Sequence, residues 1–206
     1  MTHRGALMLN VTARQELMRT IVETLGVVVE EARLDFGEDG LSVRVVDPSH
    51  VAMIKMDVDS AAFETWEVDE TKLGLEMRKM HQFLSVAGAG DMVELAYNDE
   101  SGQATIHIGR IDLNLRPLDN STLNPPNVPS LELPCGVTIG GSELAQALRA
   151  AKLVGDLVNL SLTEDTFTVN VKGSTDSVNL DFTKDDLHAI DCKEAARSQY
   201  SLTYLT

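Results

Sequence analysis

Aromatic side chains make up only 4% of the 206 residues, with a single tryptophan. Any core must therefore be built from Leu, Val, Ile, Met and Ala, and the 43% hydrophobic content suffices for one or two domains. Basic residues are scarce. Lys and Arg number 17 against 32 Asp and Glu, a net charge of −15. A basic nucleic-acid binder is not the first reading of such a chain, and neither is a peripheral membrane protein. The acidity fits a highly soluble protein, including one from salty surroundings. No run approaches the ~18 apolar residues of a membrane span, and the start MTHRGALMLNV lacks the apolar segment of a signal peptide. The two cysteines, Cys135 and Cys192, match no CxxC spacing and read as reduced thiols of a cytosolic protein. Catalytic motifs are missing too: there is no G-x-S-x-G, P-loop or H-E-x-x-H. The five histidines, His3, His50, His81, His107 and His188, lack metal-ligand spacing. Asp57, Asp59, Asp69 and Glu70 read as solvated strand-end acids. The expectation is a non-enzyme without metal or cofactor.

What is present is organised around residues 41–56, LSVRVVDPSHVAMIKM. Leu41, Val43 and Val45 share one face by period-two alternation, and Ser42, Arg44 and Val46 the other. Asp47-Pro48-Ser49-His50 forms the turn, with Pro48 fixing φ and Asp47 able to cap its own backbone. On the return run Ala52, Ile54 and Met56 oppose Val51, Met53 and Lys55. Val46, Val51 and Met53 thus lie beside the turn on the faces that Ser42, Arg44 and Lys55 mark as wet. Either a neighbouring loop covers these apolar side chains or a partner docks on them.

Around this hairpin the pattern predicts a strand at 6–11 and a helix opened by Thr12, with Gln15 completing a capping box. The helix carries the stripe Leu17, Met18, Ile21, Val22, Leu25 and presents Glu16, Arg19, Thr20 and Glu23 outward. Strands follow at 27–36 and 61–68, then a second helix over 75–87 with Met77, Met80, Phe83, Leu84 and Ala87 inward and Arg78, His81, Gln82 and Ser85 outward. A meander of strands at 92–97, 103–108 and 111–115 closes the first half. Residues 117–134 concentrate proline and read as a connector lying along the surface, studded by Leu123, Val128, Leu131 and Leu133.

After the connector the order repeats: a strand at 136–139, a helix from Ser142 to about Gly155 with the stripe Leu144, Ala147, Leu148 and Ala151, a hairpin 158–162/167–171, then strands at 178–182 and 187–190. Residues 41–45 line up with 167–171, and Ile54 and Met56 with Leu180 and Phe182. This predicts an internal duplication. A second helix of the second copy is expected from about Tyr200, and no counterpart of 92–115 follows it. On the repeated helix Arg149 and Lys152 make a small basic face. Alone, such a face is an ordinary solvated surface; it gains meaning if the polar faces of all the helices share one surface.

VDPSHVAMIKM, LGLEMRKMHQFLSVAGAGD, the proline-rich connector and GGSELAQALRAAKLVGD together resemble the sliding clamps of the proliferating cell nuclear antigen (PCNA) family, and the acidity and short loops suggest an archaeal member. The resemblance covers nearly the whole chain. It implies an α+β, duplicated two-domain DNA-clamp fold, with antiparallel sheets outside and helices lining the hole of a three-subunit ring. The domains would be 1–116 and 135–206, joined by the connector 117–134, with the second domain incomplete, so that the chain by itself is expected to fold poorly in its second half. A ring linked topologically to duplex DNA needs a loosely attractive lumen that slides on phosphates without reading bases. By resemblance, Arg19, Arg149, Lys152, Arg78 and Arg116 are the DNA-facing cations. The chain departs from the family at Thr20, Gly26, Gln82, Ser85 and Thr203, where relatives often carry Lys or Arg. The resemblance also implies a pocket for the apolar plug of a partner peptide, with Val46, His50, Val51 and Met53 as floor and Val128 and Leu131 as connector wall. The family's pocket also uses residues near the C-terminus, so the pocket is expected to be incomplete. Ring closure would pair the edge strand carrying Ile111, Leu113 and Leu115 with one carrying Val178 and Leu180. The implied partners are encircled duplex DNA, DNA polymerase, a clamp loader, other proteins with PCNA-interacting peptides, and two further copies of the chain in a homotrimer. The implied location is the archaeal cytoplasm, at the nucleoid. Replication and repair are the implied processes. The rival reading is a clamp-like peptide-binding module that never encircles DNA.

Overall fold

The computed structural model describes residues 7–206. It divides into two compact units, one ending at Val128 and the other spanning Pro129–Thr206. The first unit runs β1 (Leu7–Arg14), α1 (Gln15–Gly26), β2 (Glu31–Gly37), β3 (Gly40–Val46), β4 (Met53–Asp59), a short 3₁₀ turn, β5 (Thr65–Val68), β6 (Thr71–Glu76), α2 (Met77–Leu84), β7 (Met92–Asn98), β8 (Gln103–Ile108) and β9 (Ile111–Leu115). Two antiparallel sheets result, ordered β5-β1-β7-β8-β9 and β4-β3-β2-β6. Their inner faces and the apolar stripes of α1 and α2 bury one continuous core, from Leu9 and Val11 through Ile21, Leu25, Val43, Leu73 and Met77 to Ile106. The outward faces of both helices carry the residues expected there. The residue at position 6 that was expected to open β1 lies outside the described residues.

Four local expectations are corrected. Thr12 does not open the helix: it lies in β1, paired with Thr65 on one side and Glu94 on the other. Strand hydrogen bonds on both edges outweigh a capping box, which satisfies only one helix end. The helix starts at Gln15, whose amide donates to the Asp91 carbonyl at 2.8 Å. Residues 27–30 are not strand, because the amides of Val28 and Val29 both donate to the Leu25 carbonyl and finish α1. The segment before β5 turns through Ser60–Ala62, capped by the Asp59 carboxylate. The second helix, expected over 75–87, spans Met77–Leu84: Leu75 and Glu76 end β6, in which Thr71, Leu73 and Leu75 are buried in alternation, and the buried Gly74 makes LGL read as an unbroken apolar run.

The second unit holds β10 (Cys135–Thr138), α3 (Gly141–Lys152), β11 (Leu157–Leu162), β12 (Thr166–Lys172), β13 (Ser177–Thr183), β14 (Ala189–Cys192) and β15 (Ala196–Ser201). Its four-stranded sheet is ordered β13-β12-β11-β15 and its two-stranded sheet is β10-β14. Element for element this repeats β4-β3-β2-β6 and the β1-β5 pair. The registers agree: Leu34 opposes Val43 and Leu73, and Leu160 opposes Val169 and Ser198. The duplication read from sequence is therefore structural, with one register correction. Val43 pairs with Met56 and Val169 with Leu180, so Ile54 and Met56 correspond to Val178 and Leu180, not to Leu180 and Phe182. The loop between β12 and β13 is shorter than that between β3 and β4, and a repeat aligned by its apolar residues slips by one alternation. Tyr200, expected to begin a helix, lies in β15; the exposed run ARSQYS carries no alternation to betray a strand. A 3₁₀ turn, Leu202–Tyr204, follows, with Leu202 buried where the repeat places Met77.

Candidate peptide groove, helix face and strand edges

The outer face of the β4-β3-β2-β6 sheet is partly covered by the connector. Leu118 donates its amide to the Gly74 carbonyl at 2.8 Å, and the Asn120 side chain donates to the Lys72 carbonyl at 2.7 Å. Arg33 makes a two-pronged pair with Asp35, at 2.8 and 3.0 Å, and its third nitrogen reaches the Leu123 carbonyl at 3.4 Å. Gly74 permits this close approach: a Cβ there would stand 2.7 Å from the Leu123 Cδ1 and 3.0 Å from the Leu118 Cβ. What remains uncovered is a groove of about 150 Å³, with Val29, Ala32, Arg33, Arg44, Val45 and Val46 below and residues 122–126 beside it. Between the two readings of the apolar patch, the connector covers the β2–β6 side and leaves the β3–β4 side open.

The β3–β4 loop at the end of this groove is held by one side chain. Asp47 is buried, and its carboxylate accepts the amides of Ser49, Val51 and Ala52 at 3.0, 2.7 and 2.7 Å. The capping role expected of Asp47 is thus what the structure has. His50 takes a φ of +55°, and Val51 is displayed 71% exposed. Val46 and Met53 are paired directly across the strands, so their side chains share the outer face. Of the expected pocket residues, Val46 lines the groove, Met53 is its neighbour, and His50 and Val51 stand at the loop beside it. Val128, the last residue of the first unit, is exposed, as is Leu131 in the second. Val29, Arg33, Arg44, Leu123, Pro125 and Pro126 were not anticipated. The proline pair was the available signal, since a stiff extended segment following a hydrogen-bonded turn makes a wall.

Arg19 and Arg78 lie on the solvent side of the packed α1–α2 pair. Arg19 is not free: its Nε donates to Glu23 at 2.6 Å, and the same carboxylate meets the His81 Nε2 at 3.1 Å. Arg19, by donating to it, holds the Glu23 carboxyl below the usual range. The Glu16 carboxyl is lowered in the same way by backbone amides, its own and that of Gly90. Both acids flanking Arg19 are thus ionised at neutral pH. Arg149 and Lys152 occupy the last turn of α3, where the helix dipole favours cations. The Lys152 Nζ donates to the Thr206 hydroxyl at 3.0 Å. Arg116 is exposed, one residue past β9.

β9 and β13 are edge strands of their sheets. On β9, Ile111 is exposed, Leu113 half-buried and Leu115 buried in the first core. Leu115 therefore offers a partner its backbone and not its side chain. On β13, Val178 and Leu180 are half-buried and alternate with exposed Ser177, Asn179 and Asp181.

A duplicated unit of this kind, with antiparallel sheets, packed helices and the edge strands β9 and β13, defines the DNA-clamp class. The model of the proliferating cell nuclear antigen N-terminal domain matches residues 8–112. A DNA polymerase sliding clamp of Methanosarcina barkeri is 36% identical over 192 residues, covering 93% of this chain and 78% of the relative. One from Haloarcula marismortui is 32% identical over 202 residues, covering 96% and 81%. Among solved structures, A. fulgidus PCNA with the C-terminal region of FEN-1 bound superposes with a TM-score of 0.91 at 31% identity, covering 96% of this chain and 81% of that one. PCNA from Entamoeba histolytica superposes at 0.85 with 16% identity, which speaks for the fold alone. The chain belongs to the PCNA family.

Proposed function

We propose that this chain is a subunit of a DNA polymerase sliding clamp: a ring that encircles duplex DNA and recruits polymerase, clamp loader and other replication and repair proteins through a peptide groove. The observation that carries the reading is the extent of the likeness. Relatives bearing that name match nine-tenths of the chain or more, and the related archaeal structure holds a partner's C-terminal region. Ring closure would pair the β9 edge of one copy with the β13 edge of the next, three copies closing the circle and removing both free edges. The basic residues fit the role as a sparse set. Arg78, Arg149, Lys152 and Arg116 meet phosphates without fixing register, and Arg19 contributes through a guanidinium already shared with Glu23. The Val46–Met53 face and the connector wall take a short apolar plug. The chain holds and recruits; the reading assigns it no reaction.

The rival reading, a peptide-binding module that does not encircle DNA, is favoured by one observation, the neutralised Arg19 in a chain of net charge −15. Light scattering separates the two. The clamp reading expects a mass of three copies; a single copy at micromolar concentration, unchanged by a partner peptide, overturns ring formation and leaves the module.

A further inference from the structure

Cys135 opens β10 and Cys192 closes β14, and the two are direct cross-strand partners. The Lys193 amide donates to the Pro134 carbonyl at 3.1 Å. Residues 134 and 193 thus form a hydrogen-bonded pair, so the next pair, Cys135 and Cys192, is of the non-hydrogen-bonded kind, in which Cα atoms come closest, about 4.5 Å apart. That falls within the span a disulfide bridges, roughly 4.4–6.8 Å. The sulfurs already touch: Sγ to Sγ is 2.9 Å. Both are free thiols and half-buried. They also share an acceptor, the Glu194 carbonyl, 2.9 Å from the Cys135 Sγ and 3.3 Å from that of Cys192.

We propose that Cys135 and Cys192 are a redox site, a dithiol that a peroxide converts reversibly to a cross-strand disulfide. The Cys135 thiolate attacks one peroxide oxygen, the O–O bond breaks, and water leaves after protonation, giving a sulfenic acid. The Cys192 sulfur then attacks the Cys135 sulfur, the S–O bond breaks, and a second water leaves. Two thiols lose two electrons and two protons, and one hydrogen peroxide becomes two waters. An external dithiol reverses the change. The Cys192 thiol is pushed up to about 11 by its hydrogen bond with Cys135 and by burial. Thiolate at Cys192 is therefore scarce at neutral pH, and its attack on the sulfenic acid quickens as pH rises towards that value. The location gives the bond a use. β10 and β14 form a sheet of only two strands, an arrangement marginal on its own, and a bridge would staple the first strand after the connector to its one partner.

The test uses the native wild-type chain, treated with hydrogen peroxide, alkylated with iodoacetamide under denaturing conditions and weighed by mass spectrometry. The proposal expects both alkylatable thiols to disappear together, a mass lower by two hydrogen atoms before alkylation, a chain that stays single on a non-reducing gel, and full return with dithiothreitol. It also expects urea-unfolded protein to form the bridge more slowly, because the folded register supplies the proximity. Stable sulfinic acid on one cysteine, disulfide-linked pairs of chains, persistence of both thiols, or equal rates in folded and unfolded protein would each overturn it. A second readout is limited proteolysis of the oxidised chain, in which the second unit should be cut more slowly while the first is unchanged.

Discussion

The two units begin with the same plan and bury it differently. In the first, β1 is sandwiched between β5 and β7, and α1 packs on α2. In the second, among the described residues, β10 pairs with β14 in a two-stranded sheet, and α3 rests on β12 and β13. The consequence is visible in the cores. The first unit's buried cluster draws on both sheets and both helices. The second's comprises Ala147, Leu148, Ala151, Val158, Phe167, Val169, Val171 and Leu202. Apolar residues stand in solvent around it, Leu153 at 85% exposure and Leu157 and Tyr200 at about half. The same repeat is thus deeply covered in one setting and thinly covered in the other. Local pattern decides which residues form the strands; what covers them decides stability.

The largest expected effect comes from equivalent core truncations. Leu41 and Phe167 occupy the same position of the repeat, both nearly fully buried. Leu41→Ala and Phe167→Ala each remove about 3–4 kcal/mol of packing. Limited proteolysis should find the second unit cut readily in Phe167→Ala, while the first unit of Leu41→Ala keeps measurable resistance. Equal protection in the two variants would break the comparison.

Next in size are changes at the groove, which residues of the first unit line. Val46→Asp places a carboxylate on its floor and should weaken a PCNA-interacting peptide on the order of 100-fold, about 2.7 kcal/mol. Gly74→Val should weaken it as well, without touching the floor, by pushing Leu118 and Leu123 off the sheet. Met53→Asp and Val51→Asp should follow in that order, since Val51 is the more exposed. Isothermal titration reads all four, and a wild-type affinity for Val46→Asp would remove the groove assignment.

The helix faces should differ more modestly. Removing Arg149 and Lys152 together should lower the slope of log affinity for DNA against log salt by about 2, one for each lost phosphate contact. Arg19→Ala should change it by less than 1, because Glu23 already holds that guanidinium. Glu23→Gln should strengthen binding by freeing it. Filter binding across a salt series measures each.

The smallest effect is a titration on the meander, which among the described residues belongs to the first unit. The His107 imidazole is raised above its ordinary value of about 6.5 by its hydrogen bond to Asp112, the cross-strand neighbour on β9. A raised folded value means that the stabilisation is complete below the unfolded value and fades as pH rises through the folded one. Proton NMR should show His107 titrating above 6.5 and Asp112→Asn returning it downward. Glu23 runs the opposite way. Lowered by Arg19, its contribution is complete above the ordinary carboxylate range and fades as pH falls through the depressed value.

Alternation made the β3–β4 hairpin, the meander and the β11–β12 hairpin legible, since Leu41, Val43 and Val45 and then Phe167, Val169 and Val171 mark inner faces without ambiguity. Legibility failed where burial and pattern part company. The end of β6 reads as helix because the buried Gly74 runs the apolar residues together, and the end of β15 reads as a helix start because its exposed side chains show no alternation. The site divides along the same line. Val46, Val51 and Met53 stood out as apolar residues on a wet face. Arg33 did not, because its role depends on Leu123, a residue ninety positions away whose carbonyl it meets. The Glu23 clamp on Arg19 was visible only as helical spacing, and His81 joins it from another helix.

Encirclement of duplex DNA is tested most directly by retention on a topologically closed template. Protein assembled on a linear duplex with both ends blocked should stay bound through a wash at salt high enough to abolish phosphate contacts, and should slide off once a restriction cut frees one end. Loss at the same rate from blocked and opened DNA would contradict the ring.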